Sequence, residues 1–303
     1  MINLTKKVLV SLSIVTAVAI SANAASNEKT SKTEVSKSAS ILDAYSDIAL
    51  ANYSDALKDA KSLKTAIDAF AKSPTQANLD NAKKAWLTSR ESYGQTEIFR
   101  LANGPIDAED GWVADSYGAL EGQLNAWPLD ENMIDYTIDA NGAKTSGNII
   151  DTLGVFNPGG EGASAIDVTT ITADAISSLN ENGGDANVAS GYHAIEFLLW
   201  GQDQDYSNFL KDSVTSGAMS AGNRALSDFT SEKNADRRLA YLQAASQKVV
   251  NDLEVIASAW QKEIKGNAGL YQAALKGQLT GENASKNINS NDALKQIIAG
   301  MGV

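Results

Sequence analysis

The sequence predicts an all-α protein made of two packed helical bundles. Three observations lead there. The 303 residues contain only four prolines, alanine is abundant, and apolar residues return every three to four positions rather than every two.

In chain order, residues 1–24 read as a secretory signal. Lys6 and Lys7 give a positive start, Val8 to Ile20 an apolar run, and Ala22-Asn23-Ala24 a small-residue cleavage site. The apolar run is about 13 residues, shorter than the roughly 20 a bilayer-spanning helix needs. Residues 25–40 are small, polar and without period, which predicts a flexible leader. From 41 to 72, Ile41, Ala44, Tyr45, Ile48, Ala51, Tyr53, Ala56, Leu63, Ile67 and Phe70 keep mostly helical spacing, and Ser73-Pro74-Thr75 ends that helix. A second helix is expected from about Gln76 to Leu101, stopping at Asn103-Gly104-Pro105.

Residues 103–165 hold Pro105, Pro128 and Pro158, many glycines, and only short periodic pieces at 117–124 and 131–138. They predict an irregular connection that carries function. The run Asn157-Pro158-Gly159-Gly160-Glu161-Gly162 is the expected boundary between an N-terminal bundle, 41–160, and a C-terminal bundle, 161–303. Helical patterns resume at about 169–180, 188–200, 217–230, 235–265, 268–277 and 291–300. The clearest stripe is Leu239, Leu242, Ala245, Val249, Leu253, Ile256 and Trp260.

No cysteine occurs anywhere, which excludes disulfides, thiolate metal ligands and attachment of a lipid to a cysteine after the signal. With the signal, the expectation is a periplasmic protein. The formal net charge is −12, and loss of Lys6 and Lys7 with the signal takes it to about −14. Such acidity disfavours nucleic acid and anionic lipid and suits cationic ligands.

The one histidine, His193, stands three residues before Glu196, so both lie on one face of a predicted helix. Taken alone, the pair describes either half of a metal site or a core histidine satisfied by its neighbour. A second helix has an unusual face: Trp86, Arg90, Tyr93 and Glu97 align as one stripe. An aromatic stripe should face inwards, where an arginine and a carboxylate are costly unless paired or ligated. It is therefore a structural ion network or the wall of a site, and Arg90 beside Glu97 would hold that carboxylate ionised. Beyond it, Asp107, Glu121 and the Asn125–Glu131 stretch place acids in irregular backbone that can turn towards a site. One histidine excludes H-E-x-x-H and paired Glu-x-x-His metal motifs, and no G-x-S-x-G elbow, P-loop or dinucleotide fingerprint is present. Any metal must be held by one imidazole and oxygens, a set suited to iron, manganese or calcium.

The stretch Gly191-Tyr192-His193-Ala194-Ile195-Glu196-Phe197-Leu198-Leu199-Trp200-Gly201-Gln202-Asp203 resembles the G-x-H-x-x-E signature of imelysin-like proteins. The segments Trp86 to Glu97, Asn103-Gly104-Pro105-Ile106-Asp107 and Asn125-Ala126-Trp127-Pro128-Leu129-Asp130 resemble that family's other characteristic segments, in the same order, with the iron-regulated protein A type as the nearest branch. The resemblance implies two helical bundles with a site between them and a role in bacterial iron uptake. On it, His193 and Glu196 are the leading metal ligands, Glu97 stands opposite, and Asp107 and Glu121 complete the candidate set. Arg90, Trp86, Tyr93, Trp127 and Asp203 form its wall or support. The expected cofactor is iron, with another divalent metal as the alternative. Expected partners are a metal ion, a small chelator and a membrane transporter or other envelope protein. Some relatives are named as metallopeptidases. That reading stays open, as does a helical module binding an envelope partner without metal, although one H-x-x-E pair does not by itself supply a hydrolytic centre.

Overall fold

The computed structural model describes residues 5–139, 141–202 and 222–302, with side chains from Lys37 onward. A long helix, α1 (Thr5–Lys72), comes first. The backbone thus continues as helix through 25–40, where the sequence predicts a flexible leader. The first buried side chain is Leu42, and from there Tyr45, Ala49, Tyr53, Ala56, Ala60, Leu63, Ile67 and Phe70 are buried at steps of three and four. Thr75 caps α2 (Gln76–Gly94) by accepting a hydrogen bond from the Asn78 N–H. The buried face of α2 is Leu79, Ala82, Trp86, Ser89 and Tyr93.

The α-helix stops at Gly94, short of the expected Leu101, and tightens into a 3-10 turn over Gln95–Phe99. Three short helices follow, α3 (Gly111–Tyr117), α4 (Glu121–Leu124) and α5 (Glu131–Ile134). The Gly-rich stretch expected as a boundary instead joins two short antiparallel strands, β1 (Val155–Phe156) and β2 (Ile166–Asp167), in register Val155 to Asp167 and Phe156 to Ile166. Then come α6 (Ala173–Leu179), α7 (Gly191–Trp200), α8 (Ala235–Ala259), α9 (Leu270–Leu275) and α10 (Ser290–Met301). Of the helix expected at 217–230, the part from 222 onward shows only a 3-10 turn over Leu226–Phe229.

Helix α1 packs along α2 and α8, and α7 lies against both α2 and α8. A single buried cluster runs from Leu42 to Ile297 and takes residues from both sides of the 157–162 stretch. Arg237 fastens the strand region to α8 by donating to the carbonyls of Ile149, Ile150, Thr152, Val168 and Thr169 at 2.7 to 3.0 Å. No helix among the described residues is long and apolar enough to cross a membrane.

Candidate functional site

Helix α7 is buried nearly all round. Tyr192, Ala194, Ile195, Phe197, Leu198 and Leu199 are enclosed, and only His193, Glu196 and Trp200 show partial exposure. Their steps of three and four make one open edge on an otherwise core helix. His193 is 17% exposed and Glu196 43%. The helix begins on Gly191, whose φ of +80° suits glycine and whose absent Cβ would lie 2.4 Å from the Leu124 carbonyl oxygen. That close approach brings the 121–127 segment onto the start of the helix. As a result Trp127, 69% exposed, sets its ring 4.8 Å from the His193 imidazole.

The far side of α7 is gripped by α2. Trp86 donates its indole N–H to the Tyr192 carbonyl at 2.9 Å, and Ser89 Oγ and the Tyr192 hydroxyl lie 2.8 Å apart. The rings of Tyr93 and Tyr192 are 5.0 Å apart. The Arg90 guanidinium lies 5.6 Å and 5.4 Å from those two ring centres and donates to Asn125 Oδ1 at 2.8 Å. Burial pushes the Tyr192 hydroxyl up to about 12 and the Tyr93 hydroxyl higher, with Glu121 adding to the latter, so both remain neutral. The Trp86, Arg90 and Tyr93 stripe therefore anchors the motif helix and the 125–127 segment, and Ser89 and Asn125 belong with it.

Glu97 departs from that stripe. Three residues per turn in the 3-10 segment, against 3.6 in α2, rotate it off the buried face. Thr96 is buried, and Glu97 is 60% exposed. Its guanidinium partner is Arg100, at 2.7 Å, rather than Arg90. Arg100 also reaches Glu121 at 3.0 Å. Arg100 and Glu121 line a cavity of about 520 Å³ together with Asp107, Glu109 and Asp110 among others. Asp107 Oδ1 accepts from the Gly104 N–H at 2.9 Å. Burial raises the Asp107 pKa, against the opposing pull of nearby backbone N–H groups and Arg100. Asp203 lies outside the described residues.

The predicted ligands thus fall into two places. At the open edge, His193 Nδ1 and Glu196 Oε2 are 2.9 Å apart. A carboxylate accepts, so Nδ1–H donates, and in the neutral imidazole Nε2 then carries the lone pair. Glu196 orients the imidazole instead of joining it as a second ligand, the usual role of a carboxylate behind a ligating histidine. At the cavity, Glu121 already shares the Arg100 guanidinium with Glu97. Among the described residues no group of three or more histidine, aspartate or glutamate side chains could hold a metal ion. Among the described residues the donor set does not make up a resident metal centre. It fits a single oriented imidazole nitrogen, able to complete the coordination of a metal that brings its other ligands or to move a proton.

Comparison with known proteins agrees with the motif. The imelysin family profile matches residues 49–303. The chain belongs to the imelysin family. Iron-regulated protein A of Synechococcus elongatus is 31% identical over 83 residues, 27% of this chain and 20% of that protein. A crystal structure of a protein named as an iron-regulated protein A precursor from Parabacteroides distasonis superposes with a TM-score of 0.53 at 21% identity, covering 86% of this chain and 55% of that one. This chain therefore matches about half the length of that structure and a fifth of the Synechococcus protein. At that identity the likeness is one of fold, and the all-α imelysin fold expected from the sequence holds.

Sequence reasoning passed over Arg100, although Glu97 and Arg100 stand at the i, i+3 spacing that pairs charges on a helical turn. It also passed over a buried ion network of Asp135, Arg224, Asp228 and Arg238: Arg224 and Asp228 stand at i, i+4, but Asp135 lies 89 and 103 residues from its two arginines.

Proposed function

We propose that this imelysin-family protein works in the periplasm as an iron-handling binding protein, receiving iron as cargo at the His193, Glu196 and Trp127 edge of α7. The observation that carries the reading is the hydrogen bond from His193 Nδ1 to Glu196. It leaves one aimed imidazole nitrogen on a partly open edge, beside an exposed indole. One protein ligand suits iron that arrives carrying a small chelator, with the Trp127 ring offering a face for the chelate to lie on. The iron-regulated relatives and the signal at residues 1–24 support an envelope role in iron uptake, with a chelator or membrane transporter as partner. A metallopeptidase needs about three protein ligands and an open position on the metal. The described residues bring one nitrogen to this edge.

The test is titration of the mature chain with ferric citrate, followed by tryptophan quenching and by metal analysis after gel filtration. Stoichiometric binding weakened at least tenfold in both His193→Ala and Trp127→Ala is expected, with Glu196→Gln intermediate. Binding indifferent to His193, or none, removes the iron reading. Chelator-sensitive peptide hydrolysis lost in His193→Ala would put the peptidase in its place.

A further inference from the structure

We infer that Arg100 is a built-in cation that keeps divalent metal ions out of the acidic cavity beside α4. Its guanidinium bridges Glu97 at 2.7 Å and Glu121 at 3.0 Å, the place where a metal ion shared by those carboxylates would have to sit. Among the described residues lining this cavity Arg100 is the only base, against Asp107, Glu109, Asp110 and Glu121. Without it, those four acids would face about 520 Å³ of open space with no compensating charge from the described lining residues. Hard divalent cations bind such oxygen sets, and Glu97, 60% exposed, sits on the same guanidinium as Glu121. With Arg100 in place the two nearest carboxylates already share one guanidinium through charge-assisted hydrogen bonds.

The geometry assigns Arg100 the role of an internal occupant that denies the cavity to abundant divalent ions. It also explains why acids that read as ligands in the sequence do not form a metal site in the fold. The inference stands apart from the His193 reading, because the two sites share no donor.

The probe is Mn2+, titrated calorimetrically at fixed ionic strength, with circular dichroism confirming that each variant folds. Wild type is expected to show no stoichiometric Mn2+ site that depends on Glu121. Arg100→Gln is expected to gain one, at least tenfold tighter than any wild-type binding, and Arg100→Gln with Glu121→Gln to lose it. Arg100→Lys, which keeps a cation between the carboxylates, is expected to behave as wild type. A folded Arg100→Gln protein with no gain overturns the inference. If that variant does not fold, Glu97→Gln and Glu121→Gln in the wild-type background decide. Unchanged Mn2+ binding supports the inference, and a fall shows that the pair binds metal with Arg100 present and overturns it. These readouts are the differences in Mn2+ binding that depend on Arg100 and Glu121, whereas the iron reading is tested by ferric citrate and His193→Ala, so failure here and failure of the iron reading are separate results.

Discussion

Two charged clusters in this molecule use the same kinds of group to opposite ends. In the first, Asp135 accepts from Arg224 at 2.7 Å and from Arg238 at 2.8 and 3.1 Å, while Asp228 accepts from Arg224 at 3.3 Å and from the Tyr136 hydroxyl at 2.6 Å. These four ionic side chains are between 1% and 6% exposed. They join the 135–136 segment to the residues after 222 and to α8. In the second, His193 and Glu196 make one hydrogen bond to each other and keep an open edge. Carboxylates shared between guanidiniums in a core hold segments together and have little freedom left for a ligand. A lone imidazole oriented by one carboxylate, with no further hydrogen bond among the described residues, contributes little to stability and retains chemical capacity. Burial and closure of the pairing, more than charge itself, separate the structural cluster from the candidate site.

The contrast is sharpest if the structural cluster is broken. Asp135→Ala leaves two guanidiniums buried without their shared carboxylate, which should cost about 3–5 kcal/mol, read as a lower urea midpoint. His193→Ala should leave that midpoint nearly unmoved. Equal losses in the two variants would break the distinction. Gly191→Ala comes next: a Cβ at φ +80° would meet the Leu124 carbonyl oxygen at 2.4 Å and its carbon at 2.6 Å, neither able to move aside like a side chain. Left-handed strain and backbone overlap together should cost about 2–4 kcal/mol. The 121–127 segment should shift as well, so the Trp127 emission spectrum should change in this variant while it is still folded. Tyr192→Phe is smaller. It leaves the buried Ser89 hydroxyl without a partner, a cost of about 1–2 kcal/mol, but the lost bond faces α2, so iron binding at His193 should persist. Loss of iron binding in Tyr192→Phe would mean that the two faces of α7 are not separable.

What the sequence made legible follows from the range of the interactions. The long helices were readable because their cores repeat every three or four residues, and α8 carries the expected stripe, with Leu242, Ala245, Val249, Leu253 and Ile256 all buried. The pairing of His193 with Glu196 was legible from spacing, because it is local. Its sense was not: a shared helix face does not say whether the carboxylate joins the imidazole on a metal or turns to its Nδ1. Glu97 was misplaced by extending the 3.6 period through a turn that tightens to three residues, a change that leaves no mark in hydrophobic spacing. The Asp135 network was beyond local reading because its arginines come from remote parts of the chain. The strands at 155–167 were masked by a glycine-rich stretch that resembles a boundary as much as a hairpin loop.

The smallest effect concerns Asp107, which stands between the two kinds of cluster: half-buried, held by the Gly104 N–H, and facing the cavity. Burial raises its folded pKa above the unfolded value of about 3.9. An acid raised by folding binds protons more readily in the native state, so its contribution to stability is greatest at acid pH. That contribution declines as pH rises from the unfolded value through the folded one. Asp107→Asn keeps an oxygen for the Gly104 N–H and removes the titration. The difference in melting temperature between variant and wild type should therefore move in the variant's favour as pH rises from about 4 towards neutrality. If that difference is flat across the range, Asp107 is solvated well enough to ionise freely and belongs with the exposed acids. If it moves the other way, Arg100 outweighs burial, and Asp107 is a third carboxylate held by the same guanidinium as Glu97 and Glu121.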